Sequence, residues 1–155
     1  MPAVNIVLLE PEIPFNTGNI GRSCVVTGSS LHLIRPLGFS VEDKYIKRAG
    51  MDYWARLAPS YYDSFEDFVR INNYPPIVMT SSKVRRCYTE VDYPPGVFVM
   101  FGKESAGIPT EILERYPDTS VRIPMIPGER CLNLGSSVAV VLYEALRRQG
   151  FVDLS

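Results

Sequence analysis

The sequence predicts an α/β protein: a mostly parallel sheet with helices on both faces. Three observations predict it. Apolar runs too short for helices recur at residues 5–9, 31–34, 77–80, 97–101 and 121–123. Helix-compatible segments fall between most of them, giving the order β-α-β-α-β-β-α-β-α. Proline or glycine closes most runs, and no internal repeat, low-complexity tract or linker divides the chain, so residues 1–155 read as one domain.

Each element has its own justification. NIVLL at 5–9 is bounded by EPEIP and reads as a buried strand that starts the sheet. Residues 16–22, NTGNIGR, then read as a loop leading into a helix over SCVVT, with Gly28 as its stop. On that helix Arg22 is two residues from both Ile20 and Cys24, about 200° around the axis, so it faces away from the side they bury. Two Asn and two Gly within residues 16–21 suit a ligand loop at a strand end. Turn-forming residues ahead of a solvated arginine would leave the same trace. The spacing is neither GxGxxG nor a P-loop.

The strand at 31–34 contains His32, the sole histidine, which reads as a packed or surface group rather than a catalytic one. Residues 38–54 are helix-compatible and place Lys44, Lys47 and Arg48 on one face, with Tyr45, Tyr53 and Trp54 nearby. Such a stripe can hold a phosphate backbone and stack bases, and a solvated helix face looks much the same. Ser64 caps a helix whose buried side is Phe65, Phe68 and Val69. After the strand at 77–80, Lys83, Arg85 and Arg86 form a basic cluster in a loop. The glycine loop 102–107 follows the strand at 97–101 and precedes a short helix at 110–116.

The last stretch, 123–149, is the one the others serve. A loop punctuated by Pro124, Pro127 and Gly128 runs into a helix whose apolar stripe is Val138, Val141, Leu142 and Ala145. Asn133 is the expected N-cap, accepting from Gly135 or Ser136, and Gly150 the expected stop. An ordinary surface loop ahead of a core helix also fits this pattern. In open α/β sheets, however, ligands bind beyond the carboxyl ends of strands, and the segments 16–22, 102–107 and 124–133 all follow strands.

Composition narrows the chemistry. With 46% hydrophobic and 21% charged residues the chain is of ordinary globular type, and its net charge of −1 confines any nucleic-acid contact to local patches. Three cysteines without CxxC spacing and one histidine indicate neither a disulfide framework nor a zinc site. The N-terminus lacks a basic region ahead of its apolar run, and no apolar segment approaches a membrane span, so the cytoplasm is the expected location.

Four segments in order, EPEIPFNTGNIGR, RAGMDYW, FGKESAGIP and IPMIPGERCLNLGSSVAVVLYEALR, resemble successive motifs of the SPOUT-class RNA 2′-O-methyltransferases. The resemblance is strongest to the short, single-domain members that act on the wobble nucleotide of tRNA, and it covers essentially the whole chain. It implies a deep trefoil knot at the C-terminal end and S-adenosylmethionine bent into the knot loops, with S-adenosylhomocysteine as product and no metal. It also implies a homodimer in which a second subunit completes the active site. Matching positions put Thr80, Gly102, Ile123 and Cys131 around the cofactor, largely through backbone groups, with Leu132 and Asn133 adjoining. Asn16, Arg22, Glu104 and Asn133 align with the polar catalytic residues. Cys131 departs from the commoner pattern, in which serine is frequent. Without an added RNA-binding domain, the anticodon stem-loop would be held by Lys44, Lys47, Arg48, Lys83, Arg85 and Arg86. The same chemistry on another RNA such as ribosomal RNA, or a cofactor-binding RNA module with little catalysis, are the other readings.

Overall fold

Among the described residues six parallel strands form the sheet: β1 (Val4–Leu9), β2 (Ser30–Ile34), β3 (Ser60–Tyr62), β4 (Ile77–Thr80), β5 (Val97–Phe101) and β6 (Ser120–Val121). This computed structural model describes residues 2–41 and 53–155. Lys44, Lys47 and Arg48 therefore lie outside the described residues. The strand order is β3-β2-β1-β5-β4-β6. From β1 the chain steps outward through β2 and β3, then crosses to build the other half. The direction of winding thus reverses between β1 and β5, which is where an open α/β sheet leaves a crevice beyond its strand ends.

The helices are α1 (Pro14–Thr27), α2 (Phe65–Ile71), α3 (Thr110–Leu113) and α4 (Leu134–Arg148), with a 3₁₀ turn at Tyr88–Glu90 and helical residues at 53–57. They cover both faces, as β1 records by alternation. Its Val4, Ile6 and Leu8 join a core with Ile20 and Cys24 of α1 and Val138, Val141, Leu142 and Ala145 of α4. Its Val7 and Leu9 join a second core with Phe65, Phe68 and Val69 of α2 and Leu113 of α3. All six β1 residues are buried, as a central parallel strand requires.

Three expectations change. The stretch 16–22 is not a loop: α1 begins at Pro14, so Asn16 and Gly18 sit in its first turns. Pro14 suits that position because the first helical N–H has no intrahelical partner to lose. The glycine pattern, which reads as a turn, serves packing instead. A Cβ on Gly21 would stand 3.1 Å from Leu57 and 3.2 Å from Trp54, so the helix approaches residues 53–57 closely only without a side chain there. Second, β3 had no counterpart among the expected strands, because three residues at the sheet edge carry no readable alternation. Third, β6 ends at Val121, and Arg122 continues only as an isolated bridge to Cys87.

Candidate active site

The carboxyl end of β1, the loop after β5 and the N-terminus of α4 meet at the crevice through side-chain hydrogen bonds that span most of the chain. Glu104 holds the centre. Its Oε1 accepts from the Glu12 N–H at 3.0 Å, and its Oε2 from the Ile13 N–H at 2.6 Å and from Asn16 Nδ2 at 3.3 Å. Ile13 is the N-cap position of α1 and offers no side-chain acceptor, so the carboxylate of a distant loop caps the helix. Glu12 answers in reverse, its Oε1 accepting from the Ser105 N–H at 2.8 Å. Hydrogen bonds from the Ser105 side chain and from its N–H hold the Glu12 carboxyl below its usual range.

Asn16 carries the network onward. Its Oδ1 accepts from Asn133 Nδ2 at 3.0 Å, while Asn133 Oδ1 accepts from Gly135 N at 2.8 Å and Ser136 N at 3.3 Å. The N-cap read from the sequence is therefore present and does a second job. One asparagine starts α4 and ties it to α1. The 102–107 loop is equally fixed: the Gly107 N–H donates to Lys103 O at 2.8 Å, and a Cβ on Gly102 would stand 2.1 Å from Gly107 C. Only glycine fits at 102.

These segments enclose a cavity of about 580 Å³, within the roughly 300–1,000 Å³ typical of ligand sites. Asn16, Thr80, Gly102, Glu104, Ile123, Cys131, Leu132 and Asn133, all named from the sequence, line it, as does Lys83. The lining mixes apolar walls (Ile13, Phe101, Met125, Leu134) with backbone loops and amides. That is the donor set a nucleoside with a polar amino-acid tail needs, so the residues present fit S-adenosylmethionine.

Not every expected residue arrives there. Arg22 is exposed on the outer side of α1, where its guanidinium lies 5.2 Å above the Tyr53 ring and donates to the Tyr53 hydroxyl at 3.3 Å. Lys83 Nζ is committed to Ile108 O at 2.9 Å, and Arg86 to Pro117 O at 2.9 Å. Arg85 lines a separate, smaller cavity. Glu12 went unremarked in the sequence; the paired Glu12 and Glu104, each meeting the other's loop, become visible only once β1 and β5 are neighbours. His32, which reads as a packed or surface group, is packed. Among the described residues no group of three or more His, Cys, Asp or Glu is placed to hold a metal ion, and no helix is long and apolar enough to cross a membrane.

The model of the SpoU rRNA Methylase family matches residues 3–143. The tRNA (cytidine(34)-2′-O)-methyltransferase of Escherichia coli (strain K12) is 42% identical, covering 96% of this chain and 95% of its own. A solved structure described under the 2-OH methylation of C/U34 on tRNA superimposes with a TM-score of 0.89 at 38% identity, covering 95% of this chain and 96% of that one. An AdoMet-bound rRNA methyltransferase from Sinorhizobium meliloti gives a TM-score of 0.83 at 25% identity, covering 93% of this chain but 56% of that one.

Proposed function

The chain belongs to the SpoU rRNA Methylase family, and from that premise we propose that it transfers a methyl group from S-adenosylmethionine to the ribose 2′-OH of the wobble nucleotide, cytidine or uridine 34, of tRNA. The observation that carries the reading is the Glu104–Asn16–Asn133 network, which fixes three chain-distant segments around one cavity. The choice of tRNA over ribosomal RNA rests on extent. The match covers 95% of the E. coli relative named for tRNA, but 56% of the S. meliloti rRNA methyltransferase.

When bound, S-adenosylmethionine supplies an electrophilic methyl group on a sulfonium. Transfer is an in-line displacement, so the protein's main task is to hold donor and hydroxyl in near-attack geometry, worth up to about 7–11 kcal/mol in ideal cases. Thr80, Gly102, Ile123, Cys131 and Leu132 would hold the cofactor. Glu104 has each carboxylate oxygen taken by a donor of its own chain, so we read it as a positioning residue rather than a base. Asn16 and Asn133 would then present fixed dipoles to the substrate.

The 2′-OH must also lose its proton. A guanidinium stays protonated in proteins, so Arg22 acts here by orienting the hydroxyl or a neighbouring phosphate and stabilising developing alkoxide charge, the proton leaving through water or another group. Arg22 faces away from its own cavity, and the proposal therefore includes a homodimer in which it serves the partner's. In support, Arg22 shares its side of α1 with Phe15 and Val26, 52% and 58% exposed, and α4 exposes Val140 and Tyr143. The knot at the C-terminal end and a cytoplasmic location belong to the same proposal. For the knot, support comes from membership of the family.

Purified protein with tritiated S-adenosylmethionine and bulk tRNA is expected to label tRNA, and mass spectrometry of nuclease fragments to place the label on nucleotide 34. Label confined to ribosomal RNA would replace the substrate. No label on either, with cofactor binding intact, would leave a binding module.

A further inference from the structure

Beside the main cavity, and sharing Met125 as a wall with it, is a second cavity of about 390 Å³ lined by Arg85, Cys87, Arg122, Pro124, Met125 and Pro127. Its two charged side chains are both arginines. Backbone pairing brings their two chain segments together: Cys87 and Arg122 form a parallel bridge, the Arg122 N–H donates to Arg86 O at 2.8 Å, and the Tyr88 N–H to Arg122 O at 2.9 Å. Arg122 is half-buried, and its guanidinium makes only long contacts through Nη1, 3.4 Å to Ser82 O and 3.5 Å to Val84 O. Among the described residues no carboxylate pairs with either arginine. The contrast with nearby cations is informative, since Lys83 and Arg86 each have a short bond to a carbonyl.

Arg85, exposed, and Arg122, half-buried, line the same concavity, and an anion between two like charges offsets their repulsion. Guanidinium forks match the oxygens of a phosphodiester, which accepts paired N–H donors. We propose that Arg85 and Arg122 form a clamp for a backbone phosphate of the RNA, one that adjoins the nucleotide presented to the main cavity. The inference rests on the RNA reading above but not on the choice of target nucleotide. A phosphate contact sets register without reading sequence, so the clamp positions the strand and leaves base selection to other groups.

The test uses the full-length protein, Arg85→Gln, Arg122→Gln and the double variant, with Arg122→Lys to keep charge and stem should Arg122→Gln fold poorly. Binding to tRNA and to a twelve-nucleotide oligouridylate is measured across a salt series. The expected result is a weakening of at least about tenfold in the double variant on both probes, and a salt slope shallower by about one unit. S-adenosylhomocysteine affinity should change less than about threefold. Unchanged RNA affinity and slope would overturn the clamp. So would a selective loss of S-adenosylhomocysteine affinity, which would assign the arginines to the cofactor's carboxylate. Failure of the parent protein to methylate tRNA would overturn the proposed function separately, because oligouridylate binding still reads the clamp.

Discussion

Two polar networks, one packed against the sheet and one beyond the carboxyl ends of its strands, differ in whom they serve. Behind β2, His32 Nδ1 is 2.8 Å from the Tyr62 hydroxyl and Nε2 is 3.1 Å from Asn5 Oδ1. Asn5 Nδ2 donates to Gly96 O, which leaves Oδ1 as the acceptor for an Nε2–H, so Nδ1 accepts from the tyrosine. Every member is partnered, and the aromatic rings of Tyr62, Phe68 and Phe98 close over the imidazole. At the crevice, Glu104, Asn16 and Asn133 are equally well bonded but open onto a cavity. The residue usually sought as a catalyst is sealed in packing, while amides and one carboxylate carry the site. Position relative to the strand ends, rather than residue type, separates the two.

The sharpest way to break this contrast is to remove the carboxylate at its centre. Glu104→Ala leaves the Glu12 and Ile13 N–H groups and Asn16 Nδ2 without their acceptor, and single-turnover methyl transfer is expected to fall roughly a thousandfold, about 4 kcal/mol. Glu104→Gln, which keeps an acceptor oxygen, should recover part of it. A loss below about tenfold would show that the corner holds itself together by other means.

The sealed network should answer through stability instead. Burial pushes His32 down to about 4 from an ordinary value of 6.5. The folded chain therefore holds the ring neutral, and the unfolded chain binds the extra proton. Its stabilisation is complete above pH 6.5 and is lost as pH falls from 6.5 towards 4, by up to about 3 kcal/mol. Denaturant midpoints at pH 7.5 and 4.5, compared with those of His32→Gln, should show this slope in the parent and much less in the variant. An equal slope in both would detach it from His32.

The smallest effect is expected at Cys131, whose thiol is exposed at the cavity edge. If backbone groups make the cofactor contact there, Cys131→Ser should change S-adenosylmethionine affinity by less than about twofold in calorimetry. A larger change would give the side chain a role of its own.

What the sequence disclosed follows the range of the interactions involved. The stripe and cap of α4 were legible because spacing and N-capping are local, and Val138, Val141, Leu142, Ala145 and Asn133 all stand as expected. Residues 16–22 read as a loop because Asn and Gly are poor helix formers in isolation. Packing of Gly21 against Trp54 and Leu57 overrides that preference. Glu12 and Arg122 escaped notice for a related reason: each gains its meaning from a partner far along the chain. Arg22 was legible as an outward-facing residue but not as one outside its own chain's cavity.

The central claim is that Asn16 and Asn133, 117 residues apart, act as one unit. A double-mutant cycle in kcat/KM tests it most directly, using Asn16→Ala and Asn133→Ser, the serine preserving an N-cap oxygen for α4 while removing the Nδ2 donor. The double variant is expected to lose little more than the worse single one, a coupling of about 1 kcal/mol or more. Strictly additive losses would contradict the account.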